Sequence, residues 1–390
     1  MIPYGRHHID DDDINAVVTL MKSGWLTQGP TVELFEKSIA KYVGAKYAVA
    51  VSSGSVALHM TLLAAGLDEK SKLITSPITF VSSANAALYI GATPLFTDID
   101  PETINMSVES LSEKIKEIPD IDVVVPVHFS GVPCDMNDIK KVADDNELIV
   151  IEDAAHALGS SYLDGSKIGC CKHSLMTIFS FHPVKTIAAG EGGMITTNDE
   201  KLYRKLLRLR SHGINKLDDP YLAVEEAYTG EIRNPWYYEM RELGFNYRIT
   251  DIQCALGLSQ LKKIDKFISR RREIAKMYDT LFQDIPHCQP INKGYRDVSS
   301  NHLYVLLIDF KSIGTTRAEF MLNLRSQDVG SQVHYIPVPL QPFYRDQGFN
   351  ANDYGNAMDY YDKALSIPLF YDLTDEQVHH VVEVFKGLII

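Results

Sequence analysis

No stretch of this chain is apolar for long enough to cross a bilayer, and the opening Met1-Ile2-Pro3-Tyr4-Gly5-Arg6 lacks a signal-peptide core. A cytoplasmic protein with no membrane partner is the expectation. Cysteine is scarce. The five thiols (Cys134, Cys170, Cys171, Cys254, Cys288) include no CxxC pair, so neither a zinc site nor a disulfide framework is indicated and no metal is expected. Positive charge is short as well: a formal net charge of −13 implies no basic face for nucleic acid. Two nucleotide fingerprints are missing. No GxGxxG follows the first apolar strand, which argues against an NAD-dependent dehydrogenase, and no Gly-Lys-Ser/Thr ending makes a P-loop.

What is present reads as a fully folded globular protein. Hydrophobic residues make up 45% of 390 residues, enough chain for two domains. From residue 14 to about 210, helical and strand patterns alternate, the mark of an α/β layered domain. Candidate strands are Tyr47–Val51, Leu73–Thr75, Pro94–Asp98, Val123–His128, Leu148–Glu152, Leu175–Phe181 and Met194–Thr197. Val123-Val124-Val125 and Leu148-Ile149-Val150-Ile151 are continuous apolar runs, as expected of strands buried on both faces of a largely parallel sheet. Ile14–Met21 predicts a helix behind the acidic cap Asp10 to Asp13, and Val56–Ala65 predicts another. Residues 214 to 245 look like an extended excursion, followed by a long helix over Asp251–Leu281. Beyond it, Val305–Ile308 and Gln332–Tyr335 read as strands, and Arg317–Ser326 and Asp375–Phe385 as helices. We place a large domain over 1–255 and a smaller α+β domain over 256–390.

Three segments carry chemistry. In SFHPVKTIAAGEGG, residues 180–193, Lys185 stands beyond an apolar strand between aromatics and glycines. Partial desolvation there favours the neutral amine that attacks an aldehyde, although a surface turn also fits. Glu152-Asp153-Ala154-Ala155-His156 closes a strand, where ligand-contacting residues of open α/β sheets gather. A carboxylate at that point can hold a pyridine nitrogen protonated, while a helix N-cap explains it equally well. Ser52-Ser53-Gly54-Ser55, between strand and helix, suits either a phosphate cradle or ordinary capping. Together with Phe80, the three make one constellation, each part matched to a different part of one cofactor.

The chain resembles the sugar-nucleotide aminotransferases, pyridoxal 5'-phosphate (PLP) enzymes of fold type I. The likeness spans SGWLTQGP, VSSGSVALH, TSPITFVSSAN, IEDAAHALGS, FSFHPVKTIAAGEGG, RSHGI, ELGFNYRITDIQCALGLSQL, SSNHLY and QVHYIPV. Within the family it is most like the members that aminate C4 of a UDP-linked 4-keto-6-deoxy-N-acetylhexosamine in pseudaminic acid biosynthesis. The resemblance implies a large domain with a mostly parallel sheet flanked by helices. Lys185 would carry the cofactor and move the proton, with Asp153 on the ring nitrogen, His156 on the ring oxygen and Phe80 on the ring face. Gly54, Ser55 and Ser180 would hold the phosphate, and Asn246 would reach it from the second subunit of a homodimer. Substrate contacts would come from Tyr4, from Gly24, Trp25, Leu26 and Thr27, from Asn301, His302, Leu303 and Tyr304, and from His334 and Tyr335. L-Glutamate would be the donor and a keto-sugar nucleotide the acceptor. A different sugar nucleotide, or a non-catalytic regulator with this fold, are the rival readings.

Overall fold

In the computed structural model, residues 1–216 and 219–390 are described. Seven strands form the central sheet: β1 (Tyr47–Val51), β2 (Lys72–Thr75), β3 (Thr93–Phe96), β4 (Val123–Val125), β5 (Ile149–Asp153), β6 (Met176–Ser180) and β7 (Gly193–Thr197). Their order is β1-β7-β6-β5-β4-β2-β3, and only β7 runs against its neighbours. Alternate residues of each strand face opposite sides, and both sides are covered. Ala48, Ala50, Val124 and Val150 pack under helix α2 (Pro30–Val43) and its neighbours, with Phe35 and Ile39 filling the layer, while α1 (Asp11–Lys22) lies farther out against the helix Asp251–Leu261. Val49, Val51, Val123 and Ile151 pack against α3 (Gly54–Ala64) and α4 (Ser82–Tyr89). This double cover is why these strands read as unbroken apolar runs.

The acidic cap is as read: the Asp10 side chain accepts the Asp12 and Asp13 amides, and Asp13 returns a bond to the Asp10 amide. The long helix is not one helix. Thr250 caps a first segment, Asp251–Leu261, and a second runs Ile264–Leu281. The break at Lys262-Lys263 delivers the Lys263 ammonium to Asp10 and Asp13 of α1, so a tertiary ion pair overrides helical continuity. Gln332–Tyr335 also departs from expectation. Gln332 makes one backbone bridge to Ser366, and the chain then leaves the sheet edge.

A second core lies around the three-stranded antiparallel sheet Cys288–Pro290, Tyr304–Ile308 and Ala364–Ile367, covered by the helix Asp375–Ile389. The helix Ile264–Leu281 serves both cores, with Ile264, Phe267 and Ile268 in the first and Ile274 and Tyr278 in the second. The N-terminus is tied to this second core: Ile2 pairs with Val329, and Tyr4 O accepts the Leu369 amide at 3.0 Å. Among its described residues the excursion holds one short helix, Val224–Ala227, and two short ribbons, Ile214–Asn215 with Glu239–Met240 and Tyr228–Thr229 with Ile232–Arg233. Trp236 and Tyr238 on it are 74% and 55% exposed, so they do not pack into their own chain.

Candidate active site

The carboxyl ends of β1, β2, β5 and β6 open into one cavity of about 730 Å³. Strand β1 delivers Ser53, Gly54 and Ser55 to its wall, the turn after β2 delivers Phe80, β5 ends on Asp153, and β6 ends on Ser180. Lys185, in the turn joining β6 to β7, also lines the cavity, and its amide bonds His182 O at 2.9 Å. From the second core come Tyr4, His302, His334 and Tyr335. Every residue expected to meet the cofactor lines this cavity, with the exception of Asn246.

Lys185 is partly buried at the cavity wall. Burial depresses its pKa to about 8, against a smaller opposing pull from Asp153, so about a tenth of the amine is neutral at pH 7, far more than an ordinary lysine offers. No helix follows Asp153, which removes the N-cap alternative. Its carboxylate accepts the Ala155 amide at 3.1 Å and the Ser83 hydroxyl at 2.7 Å. At the opposite wall, Ser53 does cap α3, accepting the Val56 amide at 3.2 Å, while Gly54 and Ser55 line the cavity at the helix's positive end. The backbone is packed to the limit there. A Cβ on Gly54 would meet Ser180 Cβ at 3.0 Å, and one on Gly193 would meet Ser53 O at 2.3 Å. An amine, an opposed carboxylate and an anion cradle on separate walls fit a phosphorylated pyridine aldehyde.

His156, His302 and His334 are held neutral. His156 Nδ1 accepts the Ser130 amide at 3.3 Å, leaving Nε2 to donate to the Tyr335 hydroxyl at 3.0 Å. Burial, then the Lys185 charge, push His156 far below the ordinary histidine range. His302 stacks on it, ring centroids 4.4 Å apart, and is held down by burial and by His156. His334 drops to about 3, mainly through burial. Ser83 and Ser130 escaped sequence reasoning. Ser83 lies within TSPITFVSSAN, but nothing in a serine's neighbourhood announces a carboxylate partner 70 residues away.

Other expected contacts lie outside the cavity. Leu303 is buried in the core, and Tyr304 donates its hydroxyl to Asp279 at 2.8 Å. Asn301 spends its amide on Arg296 O and Ser299 O. Of the four residues 301–304, only His302 reaches the wall. Gly24, Trp25, Leu26 and Thr27 form an exposed loop away from it, pinned where Leu26 O accepts the Asp251 amide at 3.1 Å and Thr27 bridges Thr250. Asn246 is exposed, next to the Tyr247 carbonyl that accepts the Ser52 amide at 3.0 Å. It therefore borders the cradle without entering this chain's own cavity.

Comparison with known proteins agrees with this geometry. The model of the DegT/DnrJ/EryC1/StrS aminotransferase family matches residues 7–386. The spore coat polysaccharide biosynthesis protein SpsC of Bacillus subtilis is 41% identical, over 100% of this chain and 97% of its own length. Among solved structures, Helicobacter pylori PseC, an aminotransferase of pseudaminic acid biosynthesis, superposes with a TM-score of 0.89 at 32% identity, covering 100% of this chain and 99% of that one. A Streptococcus pneumoniae protein assigned to the sugar aminotransferases, solved in its PMP form, gives a TM-score of 0.90 at 28% identity, covering 100% and 99% of the two chains.

Proposed function

Because the chain belongs to the DegT/DnrJ/EryC1/StrS aminotransferase family, we propose a specific reaction for it: transfer of the amino group of L-glutamate to C4 of a UDP-linked 4-keto-6-deoxy-N-acetylhexosamine. It is a PLP-dependent sugar aminotransferase of fold type I. The observation that carries the reading is the half-buried Lys185, depressed to about 8, in one cavity with Asp153 and the α3 N-terminus. Likeness to PseC supports the pseudaminic acid branch. The higher identity to a spore coat polysaccharide protein favours a second reading, a different keto-sugar nucleotide on the same machinery.

When bound, PLP supplies an electron sink for the bonds at the substrate carbon. Lys185 would hold the cofactor and afterwards move the proton at the reacting carbon, a role that needs its low proton affinity. Asp153 would keep the ring nitrogen protonated, and His156, fixed as the Nε2–H tautomer, would donate to the ring oxygen. Gly54, Ser55 and Ser180 would hold the phosphate, and Phe80, 56% exposed at the cavity rim, would cover the ring. Tyr4, His334 and Tyr335 would shape the acceptor end. No arginine among the described residues lines this chain's own cavity, although the acceptor brings a diphosphate. A homodimer with Asn246 contributed across the interface, and the exposed Trp236 and Tyr238 covered by it, would complete the site. The enzyme would act in the cytoplasm; no helix among the described residues is long and apolar enough to cross a membrane.

The test is direct. The protein is incubated with L-glutamate and a panel of UDP- and dTDP-linked 3-keto and 4-keto sugars, and each product is identified by NMR. A 4-amino UDP-N-acetylhexosamine is the expected product. Exclusive amination of a dTDP sugar or of a 3-keto sugar would replace this assignment with the second reading.

A further inference from the structure

Three buried histidines line the cavity, and two of them commit a ring nitrogen inside the chain. His156 Nδ1 accepts the Ser130 amide at 3.3 Å, and His334 Nδ1 shares a bond with the Ser366 hydroxyl at 2.8 Å. His302 commits neither. It is 5% exposed, its Nδ1 is buried without a partner, and its Nε2 bonds nothing among the described residues. Its backbone is nonetheless held from both sides. The His302 amide donates to Ser130 O at 3.0 Å, and the buried Arg271 donates from Nη1 to His302 O at 3.4 Å. A core histidine with a purely structural role has its polar atoms bonded, because leaving a buried one unbonded is costly. Here the main chain fixes the ring at the cavity wall and leaves its nitrogens for something else.

The position says for what. The His302 ring lies against the His156 ring, centroids 4.4 Å apart at 39°. On the reading that His156 meets the cofactor's ring oxygen, His302 stands at the reactive end of the cofactor and away from its phosphate, because that oxygen sits on the ring carbon next to the one bearing the aldehyde. An amino-acid donor carries a carboxylate on the very carbon that reacts, so that carboxylate arrives at this end of the cavity. No arginine among the described residues lines the cavity, so within this chain a neutral hydrogen-bond donor has to meet it. We propose that His302 recognises the amino donor, its Nε2–H bonding the carboxylate on the reacting carbon. This rests on the PLP aminotransferase reading given above. A neutral imidazole carries its proton on either nitrogen, and with Nδ1 unpartnered the ligand at Nε2 decides which. A carboxylate selects Nε2–H. The sugar acceptor brings a hydroxyl on the carbon beside C4 instead, and the other tautomer accepts from it. One side chain thus suits two unlike substrates taken in turn.

The holoenzyme is titrated with α-methyl-L-glutamate, which has no α-hydrogen to lose, and with 4-aminopentanoate, the same molecule with hydrogen in place of the α-carboxylate. The visible absorbance of the bound cofactor reads both. His302→Phe keeps a ring against His156 and removes both nitrogens. Affinity for α-methyl-L-glutamate should fall on the order of tenfold or more, and for 4-aminopentanoate by less than about twofold. His302→Gln, whose amide still donates, should recover most of the loss. Equal weakening of the two ligands, or weakening of neither, would overturn the proposal. NMR of the wild-type protein with ¹⁵N-labelled histidine gives a readout that no folding defect disturbs, the His302 signal being assigned by its loss in His302→Gln. Adding α-methyl-L-glutamate must place the His302 proton on Nε2, and a signal blind to the ligand overturns the proposal. The underlying reading fails separately: if wild-type protein and PLP develop no visible band that Lys185→Ala removes, the cofactor assignment falls and His302 with it. A normal band with equal weakening of both ligands removes only His302.

Discussion

Replacing Lys185 with methionine should make the cofactor-free protein more stable at neutral pH, not less. The ordinary lysine value of 10.5 falls to about 8 in the folded chain, chiefly through burial. At ~1.4 kcal/mol for each tenfold change in a proton equilibrium, the charged amine costs the fold roughly 3 kcal/mol. The sign follows from proton counting. Between about 8 and 10.5 the unfolded chain binds the proton that the folded chain has released, so stability rises with pH across that window. Below it the penalty is fully present. Lys185→Met carries no such penalty, so its advantage should approach ~3 kcal/mol at pH 7, less whatever Asp153 loses with its neighbour, and should vanish above about pH 10.5. Urea unfolding of both apo-proteins at pH 7 and pH 10, at one protein concentration, measures it. A stability difference that stays the same at the two pH values would mean that Lys185 titrates as an ordinary surface amine, and the argument for a reactive lysine would lose its physical basis.

Turnover should disappear in Lys185→Ala, with a loss of at least ~10³-fold in kcat and of the visible absorbance of covalently held cofactor; undiminished kcat would remove the lysine from the mechanism. Tyr304→Phe should leave KM for the sugar nucleotide unchanged and cost about 1 kcal/mol of stability, because its hydroxyl serves Asp279 rather than the cavity; a KM rise of tenfold without destabilisation would restore it to the substrate site. Ser83→Ala should slow the half-reaction with glutamate several-fold at unchanged melting temperature, since it removes one of the two bonds that aim Asp153; the rate constant of cofactor conversion in a stopped-flow trace reads this, and an unchanged rate would refute it. Asn246→Ala and Lys185→Ala proteins, each impaired alone, should recover part of the activity when their subunits exchange, and no recovery despite proven exchange would refute a shared site.

What was legible in the sequence was whatever a local pattern dictates. The strands announced themselves because both faces of the sheet are covered, and Lys185, Asp153 and Ser53-Gly54-Ser55 announced themselves because each stands at a strand's carboxyl end. Where the outcome depended on a distant partner, local pattern failed. Nothing within the helical stretch from Asp251 to Leu281 signals that Lys263 will be claimed by Asp10 and Asp13, more than two hundred residues earlier. The segment at 332–335 alternates like a strand, yet one backbone pairing with Ser366 is all it makes before His334 and Tyr335 turn to the cavity. The four residues 301–304 show the same limit within one tetrapeptide. His302 is aimed inward because its amide bonds Ser130 O at 3.0 Å, and Tyr304 is aimed away because Asp279 accepts its hydroxyl. Ser130 supplies the further step. Its backbone sits at φ 60°, and this single turn sends its amide to His156, its carbonyl to the His302 amide and its hydroxyl to Leu303 O. One strained residue thus sets the tautomer of one cavity histidine and the placement of the other, joining the sheet to the second core. A serine in a sequence carries no mark of that office; the loop geometry assigns it.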